Sequence, residues 1–225
     1  MITLKNTELQ HVTPESVGVK SSAIKAFVDE INSKKLGLQS FTMVRHDKVF
    51  AQGFWKPYAA DIPHVLYSMS KSVTSTAVGF AVDEGLISLD DKVCKFFPEY
   101  FAAKLPINKA LTVRMLLTMR SDKFITVFDE KGGKDWIKQF FDAGYMMPPN
   151  TKFNYISENT FMLSAIVSKV TGMSVADYLY PRMFAPLGIE KPFWETDGKG
   201  NNAGGWGLYM KSEDLAKFFL PYIHG

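Results

Sequence analysis

Two pairs of residues in this sequence place a serine hydroxyl three positions ahead of a lysine amine: Ser22 with Lys25, and Ser68 with Lys71. At that spacing both side chains lie on one face of a helix, so the amine can reach the hydroxyl and share its proton, as an activated serine nucleophile requires. Spacing alone does not choose between the pairs, because two residue types at a fixed separation recur by chance. Their surroundings do. Ser22 and Lys25 sit on a charged amphipathic stretch, where Ser22 reads as a helix cap and Lys25 as a solvated side chain. Ser68 and Lys71 instead open a segment with no charged residue from Ser72 to Val82. Lys71 is thus an ammonium directed towards apolar surroundings, and it needs a partner or a lowered pKa. At a helix start, Ser68 also offers its own backbone N–H, an unpaired first-turn donor, to an oxyanion on any carbonyl it attacks.

Periodicity and caps give the elements that must position these residues. Ser21 or Ser22 caps a helix with Ile24, Phe27, Val28 and Ile31 on one face, ending near Lys35 to Gly37. Two extended runs, 41–45 and 48–54, flank His46-Asp47 and predict a hairpin. A helix is predicted from Ser68 to Glu84, with Val73, Ala77, Phe80 and Ala81 inward and Gly85 at its C-terminal cap. Further helices follow over 112–119 with Thr112 as cap, over 134–143, and beyond Ser157, the last burying Met162, Ala165, Ile166 and Val170 and stopping at Gly172. Ser174 caps the next helix, residues 198–207 form a glycine- and asparagine-rich loop, and Ser212-Glu213-Asp214 starts a helix towards Phe219. A helix, a hairpin and then mostly helices predict an α+β fold, with a helical lobe inserted in a partial α/β lobe. The expected division is 1–60, 61–210 and 211–225.

With 46% hydrophobic residues and 22% charged, the chain can bury a core. The net charge of +3 is spread over scattered residues, which argues against nucleic acid as a partner. No stretch free of Asp, Glu, Lys and Arg exceeds eleven residues, short of the roughly 20 needed to span a bilayer. The first residues carry no pattern of an export signal, so the expected location is cytoplasmic. Cys94 has no partner for an internal disulfide and reads as a small core residue. His11, His46, His64 and His224 match no metal-ligand spacing.

A larger set of motifs surrounds the second pair: Thr13-Pro14-Glu15-Ser16-Val17-Gly18-Val19, Leu66-Tyr67-Ser68-Met69-Ser70-Lys71-Ser72-Val73-Thr74 and Gly85-Leu86-Ile87-Ser88-Leu89-Asp90-Asp91-Lys92-Val93. Leu111-Thr112-Val113-Arg114-Met115-Leu116-Leu117-Thr118-Met119, Phe153-Asn154-Tyr155-Ile156-Ser157 and Gly204-Gly205-Trp206-Gly207-Leu208 follow in order. As a set they resemble the β-lactamase-related serine hydrolases, a group that includes class C β-lactamases, D-alanyl peptidases, family VIII esterases and nylon-oligomer amide hydrolases. The resemblance implies a β-lactamase/transpeptidase-like fold with the active site between a helical and an α/β lobe. It implies Ser68 as nucleophile, Lys71 and Tyr155 as its proton partners, and no cofactor. Ser157 falls where many relatives carry asparagine. A hydroxyl holds an amide less specifically than a carboxamide does, so this departure points towards the esterase and nylon-oligomer branches. Ser157 can equally be an ordinary helix cap, and Trp206 either lines a substrate cleft or anchors its loop. A second departure, Thr118-Met119-Arg120-Ser121-Asp122 in place of threonine-histidine-threonine-serine-glycine, is expected to alter a loop and not the chemistry.

The family's third motif, a strand with lysine- or histidine-x-glycine, has no counterpart here, and the chain is expected to correspond to the first part of such a hydrolase. That leaves the hairpin as a small sheet with an open edge and a bare apolar face, and implies a homo-oligomer or a companion C-terminal chain. The leading expectation is an esterase or amidase on small ester, amide or β-lactam-like substrates. The alternatives are a non-catalytic relative that binds ligands or partners, and a β-lactamase or D-alanyl peptidase.

Overall fold

In the structure, a computed structural model, residues 8–100, 106–124 and 135–224 are described. In chain order the main elements are β1 (Gln10–His11), α1 (Ser21–Ser33), β2 (Ser40–Arg45), β3 (Lys48–Phe54), α2 (Ser70–Asp83), α3 (Val113–Leu117), α4 (Trp136–Asp142), α5 (Ser157–Thr171), α6 (Val175–Leu179) and α7 (Ser212–His224). They group into two units, the first comprising 1–64, 181–191 and 209–225, the second 65–180 and 192–208. The segment 181–191, which the sequence reading gives to the helical lobe, groups with the first unit.

In the first unit the hairpin forms around His46 and Asp47, both in the left-handed region at φ 52° and 59°, as a two-residue turn with the twist of its strands requires. The predicted bare sheet needs correction on two counts. β1 pairs in parallel with β3, at Gln10 with Lys48 and His11 with Val49, so one edge is partly closed. α7 packs on β2, and Leu9, Val49 and Leu220 are buried together with Val44 and Ala216 against them. The α1 helix begins at Ser21, a residue or two earlier than a cap at Ser21 or Ser22 would set it, because Lys20 holds the cap position and neither serine caps it. Instead the Glu15 carboxylate accepts from the Ser21 N–H (2.7 Å) and hydroxyl (2.6 Å). Lys25 is solvated, as expected, and pairs with Asp29 one turn on.

The second unit is built around α5, in which every residue from Glu158 to Val167 is buried. α2, α3, α4 and α6 pack against it. Gly172 closes it in the left-handed conformation (φ 70°), and Thr112 and Ser174 cap α3 and α6 through their side chains, as predicted. The predicted start of α4 at Lys134 lies outside the described residues; Asp135 caps that helix by accepting from the Lys138 N–H. Cys94 is half-buried rather than a full core residue. Among the described residues no helix is long and apolar enough to cross a membrane.

Residues 119–124 form a rib between two other segments. Lys123 bridges Tyr145 in an antiparallel pair, with the Phe124 N–H on the Gly144 carbonyl and the Met146 N–H on the Asp122 carbonyl. On the other side Asp122 Oδ2 accepts from the Thr151 and Lys152 N–H groups, and Asn154 Nδ2 donates to the Lys123 carbonyl at 3.1 Å. Lys123 itself is fully buried, its ammonium donating to Asn108 Oδ1 (2.9 Å) and the Ala143 carbonyl (2.8 Å) beneath the rings of Tyr145 and Phe140. Burial lowers its pKa to about 7, against the opposing pull of Asp142. The folded value is depressed, so between about 7 and 10.5 the unfolded chain holds a proton that the folded chain has released. Stability therefore rises with pH across that window, by on the order of a few kcal/mol, and the full penalty is present below it. Urea midpoints measured across this range should climb, and Lys123→Met should flatten the slope whatever it does to the absolute midpoint.

Candidate active site

Ser68 lies on a one-turn 3-10 helix, Tyr67–Met69, that leads into α2. The α-helix thus starts at Ser70, two residues later than the sequence reading has it. Tyr67 adopts φ 44°, an uncommon conformation for a residue with a bulky side chain, and the turn leaves Ser68 exposed. Lys71 follows in the first turn of α2. Each of its three donors has an uncharged oxygen: Ser68 Oγ at 3.1 Å, Ser157 Oγ at 3.0 Å and the Gly205 carbonyl at 2.8 Å. Its Nζ also stands 4.9 Å from the centroid of the Tyr155 ring, within reach of the negative π-face. The partner that the apolar setting of α2 demands is thus a set of neutral oxygens and one aromatic ring.

Tyr155 precedes α5 on a segment positioned by Asn154, whose N–H donates to the Met119 carbonyl and whose amide donates to Lys123. Partial burial raises the pKa of its phenol, but hydrogen bonding with Ser68 and Lys71 and the charge of Lys71 outweigh that and hold it below the ordinary tyrosine value. Ser157 is the first residue of α5 and makes no capping bond. Its hydroxyl accepts from Lys71 instead, so the structure brings Ser68, Lys71, Tyr155 and Ser157 into one cluster.

The glycine-rich loop completes the cluster in a way the sequence motifs do not spell out. Thr74 Oγ1 donates to the Gly204 carbonyl at 2.9 Å, and Ser70 Oγ accepts from the Leu208 N–H at 3.4 Å. Ser70, Lys71 and Thr74, on one face of α2, thus stitch the loop to that helix. On its other side the loop lies against the start of α5. A Cβ on Gly204 (φ 69°) would meet the Thr160 carbonyl oxygen at 2.6 Å, and one on Gly205 the Ser157 carbonyl oxygen at 2.8 Å. Only glycine permits that approach. Trp206 is half-buried, its ring against Trp136 (centroids 5.5 Å apart) and its carbonyl accepting from Trp194 Nε1 at 2.7 Å. Those contacts tie the loop down one residue from the Lys71 acceptor. Among the described residues no group of three or more His, Cys, Asp or Glu side chains is placed to hold a metal ion.

A comparison with protein families matches the Beta-lactamase profile to residues 24–223, most of the chain. The chain belongs to the Beta-lactamase family. Within it, the sequence is 30% identical to penicillin-binding protein 4 of Amycolatopsis lactamdurans, over 77% of this chain and 44% of that protein. It is 24% identical to the 6-aminohexanoate-dimer hydrolase of Paenarthrobacter ureafaciens, over 95% of this chain and 59% of that enzyme. The chain therefore spans about half the length of the curated relatives it matches. Among solved structures, FmtA from Staphylococcus aureus superposes with a TM-score of 0.75 at 17% identity, over 96% of this chain and 69% of that one. That likeness establishes the β-lactamase/transpeptidase-like α+β fold.

Proposed function

We propose that this protein is a serine hydrolase that forms an acyl-enzyme on Ser68 and acts as an esterase or amidase on small acyl compounds. The observation that carries the reading is Lys71 Nζ held at 3.1 Å from Ser68 Oγ with its remaining donors fixed on Ser157 and Gly205. In this mechanism the Tyr155 phenol, made more acidic by Lys71, first loses its proton to solvent, and the resulting phenolate takes the Ser68 proton as Oγ attacks the substrate carbonyl. The Ser68 backbone N–H faces the oxyanion. Collapse of the tetrahedral intermediate expels an alcohol or amine, which leaves with the proton, and the same pair then activates water to release the acid. Ser157, a hydroxyl where a carboxamide would grip a lactam amide, favours esters and linear amides. Trp206, whose ring packs on Trp136, is the further residue this reading would set against the substrate.

The test pairs two measurements on the protein. Mass spectrometry after reaction with an activated phosphonate should locate the adduct on Ser68, and a short-chain nitrophenyl ester should turn over faster than a chromogenic cephalosporin. An adduct on Ser22 or Ser70 overturns the nucleophile assignment, faster cephalosporin hydrolysis overturns the esterase reading, and no adduct at all leaves the non-catalytic ligand-binding reading in its place.

A further inference from the structure

We infer that the site, read as a Ser68 hydrolase, selects substrates whose acyl group carries a medium-length alkyl chain or an aryl ring. The inference rests on the outer face of the rib that positions Tyr155. Lys123 and Tyr145 form a pair whose side chains turn inward to Asn108. By the alternation of extended chains, Phe124 and Met146 on either side of that pair turn outward on one face. They are 68% and 51% exposed. The Asn154 amide turns inward to the Lys123 carbonyl, so its neighbours Phe153 and Tyr155 face outward as well, Phe153 at 67% exposure. Tyr67 and Met69, the residues on either side of Ser68, are also exposed.

Large apolar side chains are ordinary on a surface when scattered, but a concentration on adjoining segments marks a place where something apolar binds. Tyr155 decides the occupant, because it belongs both to this surface and to the Ser68–Lys71 cluster. A carbonyl carbon presented to Ser68 Oγ therefore lies beside the exposed chain neighbours Tyr67 and Met69 and beside Tyr155, with Phe153 two residues from Tyr155.

Covalent capture tests this without depending on turnover. Two fluorophosphonates that differ only in an ethyl or a decyl chain, the latter kept below its micellar concentration, are reacted with the protein. In each, Ser68 Oγ bonds to phosphorus as the P–F bond breaks, fluoride leaves, and the serine proton passes to the Tyr155–Lys71 pair. The decyl probe should label Ser68 at least about tenfold faster, since each methylene removed from water contributes about 0.8 kcal/mol. Phe153→Ser and Met146→Ser, both at exposed positions, should each shrink that ratio. Equal rates for the two probes, or a ratio unchanged in both variants, overturn the acyl-chain inference alone. Absence of labelling by either probe overturns the Ser68 reading and this inference with it.

Discussion

Lys71→Ala should slow acylation of Ser68 by at least about 10³-fold while leaving the protein folded. The size follows from the way such groups act as a unit: once one member is gone, the others recover little of the lost rate. The position of Lys71 makes the loss more than that of a local charge. Its three donors bind Ser68, Ser157 and Gly205, so one side chain holds the proposed nucleophile, the Ser157 hydroxyl and the glycine-rich loop together. The pH profile gives a second readout that a merely structural lysine would not produce. In the proposed mechanism Tyr155 accepts the serine proton only as phenolate, so the rate should rise with pH towards the phenol's pKa, which Lys71 helps to hold below the ordinary tyrosine value of 10.0. Removing the ammonium removes both the hydrogen bond and the charge that lower it, and the rising limb of residual activity moves to higher pH. Tyr155→Phe, which keeps a ring near Lys71 but no phenol, should abolish that limb. The measurement is the rate of Ser68 acylation by an activated ester as a function of pH in the three proteins. A near-wild-type rate in Lys71→Ala removes Lys71 from the mechanism, and an unmoved limb removes its influence on Tyr155.

Much of this arrangement is legible in the sequence because the decisive signals are local. The uncharged run after Lys71, the glycines at 85 and 172 and the caps at Thr112 and Ser174 each act within a turn of where they stand, and each helix forms where they place it. What is not legible depends on partners distant in the chain. β1 is two exposed residues long, too short to show alternation, and exists because β3 offers it an edge. Ser157 reads as a cap from its neighbours alone, and its different use comes from Lys71, 86 residues away. Lys123, just past the departure at Thr118 to Asp122, carries no signal of burial in the sequence, yet it is buried, because Asn108 and the Ala143 carbonyl supply oxygens from two other segments. The carbonyl of Gly205 has no side-chain signature at all, and it is the shortest of the Lys71 contacts.

That last contact gives the second large effect: Gly205→Ala should lower Ser68 acylation by about 10²-fold or more, although the three atoms nearest the added methyl all belong to Ser157. Gly205 is not among the residues with positive φ, so alanine can adopt its backbone conformation and any cost arises from space. The added Cβ would lie 2.8 Å from the Ser157 carbonyl oxygen and 3.1 Å from Ser157 Cβ. The first of these is backbone of the opening turn of α5, a helix buried along most of its length, so it is the loop that must retreat. Retreat carries the Gly205 carbonyl away from Lys71 Nζ and frees the ammonium to turn from Ser68. A displacement of about 1 Å in a positioning group is enough for a loss of that order. Overpacking should also cost about 1 to 3 kcal/mol of stability. Gly79→Ala is the control, because Gly79 lies within α2 itself and a Cβ there meets nothing within 4 Å. Alanine at that helical position should stabilise the protein by up to about 1 kcal/mol and leave acylation as it was. The comparison needs only the rate of Ser68 labelling and a urea midpoint for each variant. If Gly205→Ala labels as fast as the unaltered protein, the carbonyl does not hold Lys71 in the reactive position, and the loop's role is confined to packing on α5.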